Sequence, residues 1–326
     1  MSEKSLLLII DDEPIAQMTL KALLSGEEYR MEFAENGKQG LEKAALLLPD
    51  LILLDVMLPE MDGFEVCSRI RADSRLTKIP IMMVTSLEDR ASRLRGFQAG
   101  AEYFISKPFD TLELSTLVRT VTQLNRYRHL QEQLERAYDL TLEGLVKALG
   151  QRHKESEAHT RHLVLATEKL ARRMGYPENE IPHLKRGALI HDVGKIGVRD
   201  AIHLKEGPLT QEEKVEMQQH PVLVFEMLKH IDYLAPALEI AYCHHEKWDG
   251  TGYPQGLKGE EIPYTARMFA VVDVWEALSN ERFYRPDGQK RWATEKVSAY
   301  LRDQSEIHFD PQFVEPFLDL LSEEAL

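Results

Sequence analysis

The chain has 326 residues, a length that suggests two domains rather than a single small module. Its 54 acidic residues outnumber its 40 basic residues, and the formal net charge of −14 argues against general nucleic-acid binding or a polybasic membrane anchor. Two cysteines, Cys67 and Cys243, cannot build a disulfide framework, and no apolar run reaches the ~18 residues of a membrane span. We therefore expect a cytoplasmic protein that binds neither nucleic acid nor membrane.

Up to about residue 125, short apolar runs alternate with amphipathic, helix-like stretches. The apolar runs predict strands over 6–10, 30–34, 51–54, 79–84 and 101–105. Strands that alternate with helices form a parallel sheet covered on both faces, so we predict a doubly wound α/β domain with a five-stranded parallel sheet. Ligand sites in such domains lie at the carboxyl ends of the strands.

Polar residues follow the predicted strands at that edge. Asp11 and Asp12 follow the first strand, Asp55 follows the third, Thr85 follows the fourth, and Lys107 comes shortly after the fifth. The three carboxylates are hard oxygen ligands that suit Mg²⁺. The hydroxyl and the ammonium can hold oxygens of a phosphoryl group carried on the third carboxylate. Any one of these residues alone is explained by a solvated turn, but five at one edge indicate a site.

These residues stand in the segments IIDDE, LLDVMLPEMDG, MVTS and, at 107–109, Lys-Pro-Phe. Over about the first 124 residues the chain thereby resembles the receiver domain of two-component response regulators, which has a flavodoxin-like fold. The resemblance implies that a cognate histidine kinase phosphorylates Asp55. It also implies Mg²⁺ ligands and switch residues, namely Asp11, Asp12, Asp55 and the backbone of Met57 for the ion, and Thr85, Tyr103 and Lys107 for the switch.

From residue 111 onward, apolar residues recur at steps of three or four, the spacing of an amphipathic helix. No Gly or Pro interrupts 110–143, so one long helix is predicted to leave the first domain and enter the second. We place the receiver domain at 1–124, a linker helix at 125–140 and the second domain at 141–326. The apolar stripe predicts a coiled-coil seam in a homodimer, and packing of the helix on its own domain is the open alternative.

Histidines and carboxylates in the second part of the chain suggest a metal site. His191-Asp192 and His244-His245 each end an apolar run, and Asp273 lies inside another. Such residues incur a cost of burial unless a metal or another partner compensates. Neighbours on a helix point about 100° apart, so we expect each pair to serve neighbouring ions or opposite sides of one cavity.

The ligand types indicate the chemistry of this site. Glu155 and His159 stand four residues apart in a helical stretch and therefore share a face. Imidazole and carboxylate ligands together favour Fe, Mn, Zn or Ni over Ca or thiolate-bound copper. Two such ions can hold an activated water and clamp the oxygens of an in-line phosphoryl displacement. The pattern therefore predicts phosphoester hydrolysis.

A second resemblance is carried by ALIHDVGKIG (188–197), KEGPLTQEE (205–213), HP (220–221), HHEKWDGTGYPQGLKGEEIP (244–263), ARMFAVVDVWEAL (266–278) and HFDP (308–311). These segments are similar to those of the HD-GYP family, a subgroup of the HD-domain metal-dependent phosphohydrolases, and the resemblance covers 141–326. It implies an all-α, HD-type domain that hydrolyses cyclic di-GMP to linear pGpG, with GMP as a further product. Some members of the family act on cyclic GMP-AMP instead.

The resemblance also assigns site residues. It implies two or three divalent ions, iron before manganese, and eight ligands: Glu155, His159, His191, Asp192, His220, His244, His245 and Asp273. The resemblance implies that Asp192 is the bridging, catalytic carboxylate, and Lys195 matches the lysine that contacts the scissile phosphate. Arg282 and Arg285 match basic residues that hold substrate phosphates. Tyr253 of the Gly-Tyr-Pro loop is predicted to line the site or to meet a partner protein such as a diguanylate cyclase.

Two alternatives to cyclic di-GMP hydrolysis stay open from the sequence. One is a catalytically silent module that binds a cyclic dinucleotide or a partner protein, and the other is a phosphodiesterase for cyclic GMP-AMP. Arg199, His203 and Glu206 depart from the family pattern, as does ALSNERFYR at 277–285. These positions border the predicted substrate mouth, so they bear on nucleotide preference more than on hydrolysis.

Overall fold

The computed structural model describes residues 4–25, 29–86, 90–153, 157–205, 207–279 and 291–323, without the side chains of 151–159. The chain divides into two compact units, Met1–Arg136 and Ala137–Leu326. The boundary between the units falls inside the predicted linker 125–140, and the finer domain bounds stay predictions. Among the described helices, none combines the length and the apolar content that crossing a membrane requires.

The first unit alternates strands and helices. Its elements are β1 (Ser5–Ile10), α1 (Pro14–Leu24), β2 (Tyr29–Ala34), α2 (Gly37–Leu47), β3 (Leu51–Asp55), α3 (Gly63–Ala72), β4 (Ile81–Thr85), α4 (Arg90–Ala99), β5 (Tyr103–Ser106) and the first part of α5 (Thr111–His153). All five strands pair in parallel, in the order β2-β1-β3-β4-β5. The predicted sheet is confirmed, although β4 and β5 each begin two residues later than predicted.

The apolar runs become strands because helices cover both faces of the sheet. Alternate residues of β1 show this, since Leu7 and Ile9 pack in the core on one face and Leu8 and Ile10 in the core on the other. The central strands β3 and β4 are buried along their whole length. Because all strands run in the same direction, their carboxyl ends share one edge, where the predicted polar residues follow.

Helix α5 runs without a break for 43 residues. The helix predicted over 110–143 is confirmed, and it continues past Gly144 to His153. A single glycine inside a helix costs only about 1 kcal/mol relative to alanine, which does not end a helix that packs on both sides of it. Val121 of α5 is buried on the sheet of the first unit, and Leu142 packs against a core of the second.

The second unit is built from helices around a phenylalanine-rich core. Its α-helices after α5 are α6 (Glu157–Arg173), α7 (Ile181–Ile190), α8 (Asp200–His203), α9 (Gln211–Met217), α10 (His220–Leu228), α11 (Leu238–Cys243), α12 (Tyr264–Ser279), α13 (Thr294–Asp303) and α14 (Pro311–Glu323). Short 3₁₀ turns span Val193–Gly197, Asp232–Ala237 and Gly259–Glu261. Phe269 of α12 is fully buried with Phe309, Phe313 and Phe317. This core fixes α7 and α12, the helices that carry or precede predicted metal ligands.

Candidate functional site

Three carboxylates meet at the carboxyl edge of the sheet. Asp11 and Asp12 follow β1, Asp55 ends β3, and one oxygen of each lies within 4.8 Å of the others. Asp11 and Asp55 are buried, whereas Asp12 is exposed. Carboxylates this close repel one another unless a cation lies among them. The arrangement supports the predicted Mg²⁺ site.

Lys107 already supplies one positive charge to this group. Its ammonium nitrogen lies 2.9 Å from Asp11 Oδ2 and 2.6 Å from Asp55 Oδ2. Burial opposes the charged form of Lys107, but its bonds to the two carboxylates outweigh burial and raise the pKa of the ammonium. Burial raises the pKa of Asp11, and the bond to Lys107 acts against that shift. The lysine is therefore held against the carboxylate that is predicted to carry the phosphoryl group.

The remaining predicted receiver residues lie on neighbouring segments. The backbone amide of Met57 donates to Asp55 Oδ1 at 3.1 Å, so this part of the backbone adjoins the predicted phosphoacceptor. Thr85 is buried at the end of β4, and Tyr103 begins β5 and is half-buried. Their switching roles stay predictions.

Six of the eight predicted ligands in the second unit come together, and we call them the ligand cluster. His191 and Asp192 follow α7, His220 begins α10, His244 and His245 follow α11, and Asp273 lies in α12. One ring nitrogen from each of His220, His244 and His245 lies within 4.8 Å of the other two. His191 Nε2 lies 3.9 Å from Asp273 Oδ1. The fold thus assembles one site from residues scattered along the unit.

Backbone carbonyls orient three of the four imidazoles in the ligand cluster. The carbonyl oxygens lie 2.8 to 3.2 Å from Nδ1 and belong to Ala188 for His191, Met217 for His220, and Ile240 and Ala241 for His244. A carbonyl can only accept, so Nδ1 carries the proton, and Nε2 presents a lone pair where the ring is neutral. His220 Nε2 and His244 Nε2 lie 3.3 Å apart. Lone pairs that face each other across this distance suit a shared metal ion.

The two oxygens of Asp192 face different imidazoles. Oδ2 lies 3.2 Å from His191 Nε2, and Oδ1 lies 3.4 Å from His220 Nε2. The Lys195 ammonium also donates to Oδ2. A carboxylate whose oxygens point to separate ligand groups can bind two ions at once, as two-metal centres require. This geometry supports the bridging role that the family resemblance implies for Asp192.

Burial and the carboxylates act on the imidazoles in opposite directions. Burial disfavours the cationic rings and lowers the pKa of His220, that of His245 and, to about 3, that of His244. Burial also acts against the charged form of His191, but the negative charge of Asp192 outweighs it and raises the pKa of His191 to about 9. The three imidazoles whose pKa is lowered stay neutral near pH 7, and beside half-buried carboxylates they attract a cation. The ligand cluster therefore fits divalent metal ions.

The two residues of each adjacent ligand pair lie in direct contact. The ring centroids of His244 and His245 lie 4.0 Å apart, and His191 directly contacts Asp192. Each pair directly follows its helix, and the first residue of each pair keeps helical backbone angles. That each pair serves neighbouring ions or opposite sides of one cavity stays a prediction.

Four residues assigned from the sequence are not placed. Glu155, Arg282 and Arg285 lie outside the described residues, and the side chain of His159 lies outside them as well. Their assigned roles stay predictions.

Tyr253 contacts a predicted metal ligand directly. Its ring stacks on the imidazole of His245, with centroids 4.7 Å apart and planes 27° apart. Burial raises the pKa of the phenol, which therefore stays neutral. Tyr253 thus lies at the edge of the ligand cluster, where the sequence predicted a site-lining residue.

Sequence analysis missed two residues that shape the site. A Cβ on Gly194 would lie 1.9 Å from the carbonyl oxygen of His220, so glycine allows the turn after Asp192 to approach α10. Glu246 is buried and accepts two backbone hydrogen bonds. The sequence signal that could have identified both residues is their position, because each stands close to predicted ligands inside a motif.

Two family profiles match the chain. The profile of the response regulator receiver domain matches residues 7–119. The profile of the HD domain matches residues 126–313, which is more than half of the chain. The two matches follow the α/β and helical parts of the structure in the same order.

Relatives of known name match the chain along nearly its whole length. A probable cyclic di-GMP phosphodiesterase of Vibrio cholerae is 33% identical over 96% of this chain and 77% of its own length. The cyclic di-GMP phosphodiesterase response regulator RpfG of Xanthomonas campestris is 31% identical over 96% of this chain and 86% of its own. A cyclic di-GMP phosphodiesterase of Thermotoga maritima is 32% identical over 97% of this chain and 90% of its own. The chain therefore belongs to the family of response regulators in which a receiver domain is followed by an HD domain.

Proposed function

We propose that this protein is a response regulator whose HD domain hydrolyses cyclic di-GMP to linear pGpG. The observation that carries the proposal is the ligand cluster, in which Asp192 contacts His191, His220 and Lys195 at once. A cluster of buried and half-buried imidazoles and carboxylates with an adjacent ammonium suits an anionic phosphodiester. The names of the relatives that match along the whole chain support the same substrate.

The ligand cluster would hold two or three divalent ions, for which we propose iron, with manganese next. Glu155 and the side chain of His159 would complete the ligand set. Bound ions of this kind make a hydroxide nucleophile available near neutral pH and polarise phosphoryl oxygens. His220 and His244 present unprotonated Nε2 atoms for this purpose, because burial keeps their rings neutral and their Nδ1 protons are donated to carbonyls.

Residues of the chain itself would bind and orient the substrate. We assign Lys195 to a non-bridging oxygen of the scissile phosphate, because its ammonium adjoins Asp192. In a water-poor site, a hydrogen-bond donor aimed at a developing negative charge contributes more than in water. Arg282 and Arg285 would hold the second phosphate, and Tyr253 would line the pocket or meet a partner protein such as a diguanylate cyclase.

The receiver domain would regulate this activity through phosphorylation of Asp55 by a histidine kinase. Mg²⁺ would bind Asp11, Asp12 and Asp55, and Lys107 would bond the phosphoryl oxygens that replace its present contact with Asp55. Thr85 and Tyr103 would respond to the new charge. Phosphorylation then shifts the populations of two arrangements of the protein, which is sufficient for control.

We further propose that α5 pairs with α5 of a second copy of the chain. Leu124, Tyr127, Leu130 and Leu134 are each more than half exposed and follow one another at steps of three or four. On the helix they form one exposed stripe that begins one turn after the buried Val121. An exposed apolar stripe of this spacing is the seam of a coiled coil.

The dimer is tested by light scattering after size-exclusion chromatography. We expect a dimer for the wild type and a monomer for the double variant Leu130→Glu/Leu134→Glu, because two charges would enter the seam. Leu46→Glu is the matched control, since Leu46 is an exposed leucine of α2. A wild-type monomer would contradict the pairing of α5.

The catalytic proposal is tested with protein purified without oxygen, metal quantified per chain, and products separated after incubation with cyclic di-GMP. We expect two or three metal ions per chain and pGpG from the wild type, with no product from Asp192→Ala. Metal without product, together with tight dinucleotide binding, would favour the silent module instead. Faster hydrolysis of cyclic GMP-AMP at equal metal loading would change the assigned substrate.

A further inference from the structure

Glu246 is a buried carboxylate that the catalytic proposal does not use. It directly follows His245 and is 2% exposed. Its Oε1 accepts the backbone amide of Gln255 at 2.7 Å, and its Oε2 accepts the amide of Leu257 at 3.0 Å. A buried carboxylate with each oxygen bonded to an amide holds its partners firmly, because breaking either bond leaves a buried charge undersatisfied.

The segment between those two amides and His245 is folded back on the backbone beside Glu246. The amide of Tyr253 donates to the carbonyl oxygen of His245 at 3.2 Å. A Cβ on Gly252 would lie 2.3 Å from the backbone nitrogen of Lys247 and 2.5 Å from Cα of Glu246. The loop therefore packs against the backbone that carries His245, with no room for a side chain between them.

This loop orients the imidazole of His245, whereas backbone carbonyls orient the other imidazoles of the ligand cluster. His191, His220 and His244 have Nδ1 bonded to a backbone carbonyl. Across the residues that the structure describes, no such carbonyl bond reaches His245, and the Tyr253 ring covers its imidazole at 4.7 Å instead. The orientation of His245 therefore depends on where the loop holds Tyr253.

We propose that Glu246 is a positioning residue for the metal centre. Its two amide bonds hold residues 252–257 in place, so that Tyr253 stacks on His245 and keeps the imidazole directed into the ligand cluster. The inference rests on the proposed metal centre. It deepens that proposal by naming what orients His245, the one imidazole of the ligand cluster without a carbonyl partner among the described residues. Glu246 touches neither substrate nor metal in this role.

The test uses the full-length chain, stripped of metal and titrated with Co²⁺, whose visible absorption reports ligand geometry. Glu246→Gln keeps the size of the side chain but turns an NH₂ group toward one of the two amides, so one bond is lost. We expect cobalt binding about 10- to 100-fold weaker than in the wild type, as for other partners that orient a ligand, with altered absorption bands. Glu260→Gln is the matched control, because Glu260 is an exposed acid nearby, and it should bind cobalt like the wild type.

A second pair of variants tests the same contacts by changing Tyr253 instead of Glu246. Tyr253→Phe keeps the stacked ring and should bind cobalt like the wild type, whereas Tyr253→Leu removes the ring and should match Glu246→Gln. The double variant Glu246→Gln/Tyr253→Leu should bind no more weakly than either single variant, because both act through His245. Additive losses overturn the inference. Wild-type cobalt affinity in Tyr253→Leu also overturns it, and this result does not require that Glu246→Gln folds.

Cobalt titration separates this inference from the proposed reaction, because it needs no substrate. A wild type that binds cobalt without cleaving cyclic di-GMP refutes only the reaction. A wild type that cleaves the dinucleotide, beside a Glu246→Gln variant with unchanged affinity and absorption, refutes only the positioning role.

Discussion

Replacing Gly194 with alanine tests how closely the turn after Asp192 packs on α10. The added Cβ would lie 1.9 Å from the carbonyl oxygen of His220 and 2.8 Å from the backbone nitrogen of Val224. Both contacts are with backbone, so no side-chain rotation can relieve them. The turn and α10 must therefore move apart.

The size of that movement sets the expected effect. Because non-bonded atoms settle at about 3.5 Å, the His220 carbonyl must shift by roughly 1.5 Å. Overpacking of this kind lowers the free energy of unfolding by about 1 to 3 kcal/mol, and we expect the upper end of that range. For a domain of this size, such a loss lowers the melting temperature by about 6 to 12 °C. His220 Nε2 lies only 3.4 Å from Asp192 Oδ1, so the same shift separates two predicted metal ligands. A displacement of 1 Å at such a site typically costs about 100-fold in rate.

The assay combines calorimetric melting with cobalt titration and cyclic di-GMP turnover. Gly144→Ala is the matched control, because a Cβ there meets no described atom within 4 Å outside its own stretch of α5. Alanine at this helical position should raise stability by about 1 kcal/mol and leave metal binding unchanged. A Gly194→Ala protein with wild-type melting temperature and cobalt affinity would refute the close approach that we describe.

Three further predictions concern other parts of the chain. With acetyl phosphate as the donor, Lys107→Met should lower the phosphorylated fraction at Asp55 at least tenfold, because a charge-assisted bond is worth about 1.5 to 3 kcal/mol. Equal phosphorylation of variant and wild type on a phosphate-affinity gel would contradict this. Arg267→Ala removes the partner 2.6 Å from buried Asp310 and should cost about 3 to 5 kcal/mol in urea unfolding, and an unchanged midpoint would argue against it. Burial raises the pKa of Cys67 to about 11, so iodoacetamide at pH 8 should label it only after unfolding.

Periodicity and strand-end residues were sufficient to predict the first unit. The run Leu51 to Leu54 is apolar at every position, as a strand buried on both faces must be, and Asp55 marks its carboxyl end. The contact of Lys107 with Asp55 followed from the fold, because parallel strands bring their ends together. The late start of β5 did not follow, since Ala101 is apolar yet precedes the strand.

The ligand cluster was predictable in membership but not in geometry. The motifs name His191, Asp192 and His220, yet nothing in their spacing says that the two oxygens of Asp192 face different rings. That arrangement depends on the approach of α10 to the turn at Gly194, which is a tertiary contact between distant segments. Glu246 was missed for a similar reason, because its partners are backbone amides that carry no side-chain signature.

The carbonyls that orient the imidazoles all lie in the last turn of a helix. Ala188 belongs to the end of α7, Met217 is the last residue of α9, and Ile240 and Ala241 lie in the last turn of α11. The carboxyl end of a helix carries a partial negative charge of roughly half an elementary charge from its aligned peptide dipoles. Three such ends face the Nδ1 atoms of His191, His220 and His244. Their negative charge makes the Nε2 atom of each ring a better electron-pair donor to a cation. A transplant of this centre into another protein would therefore have to carry the helix ends along with the histidines.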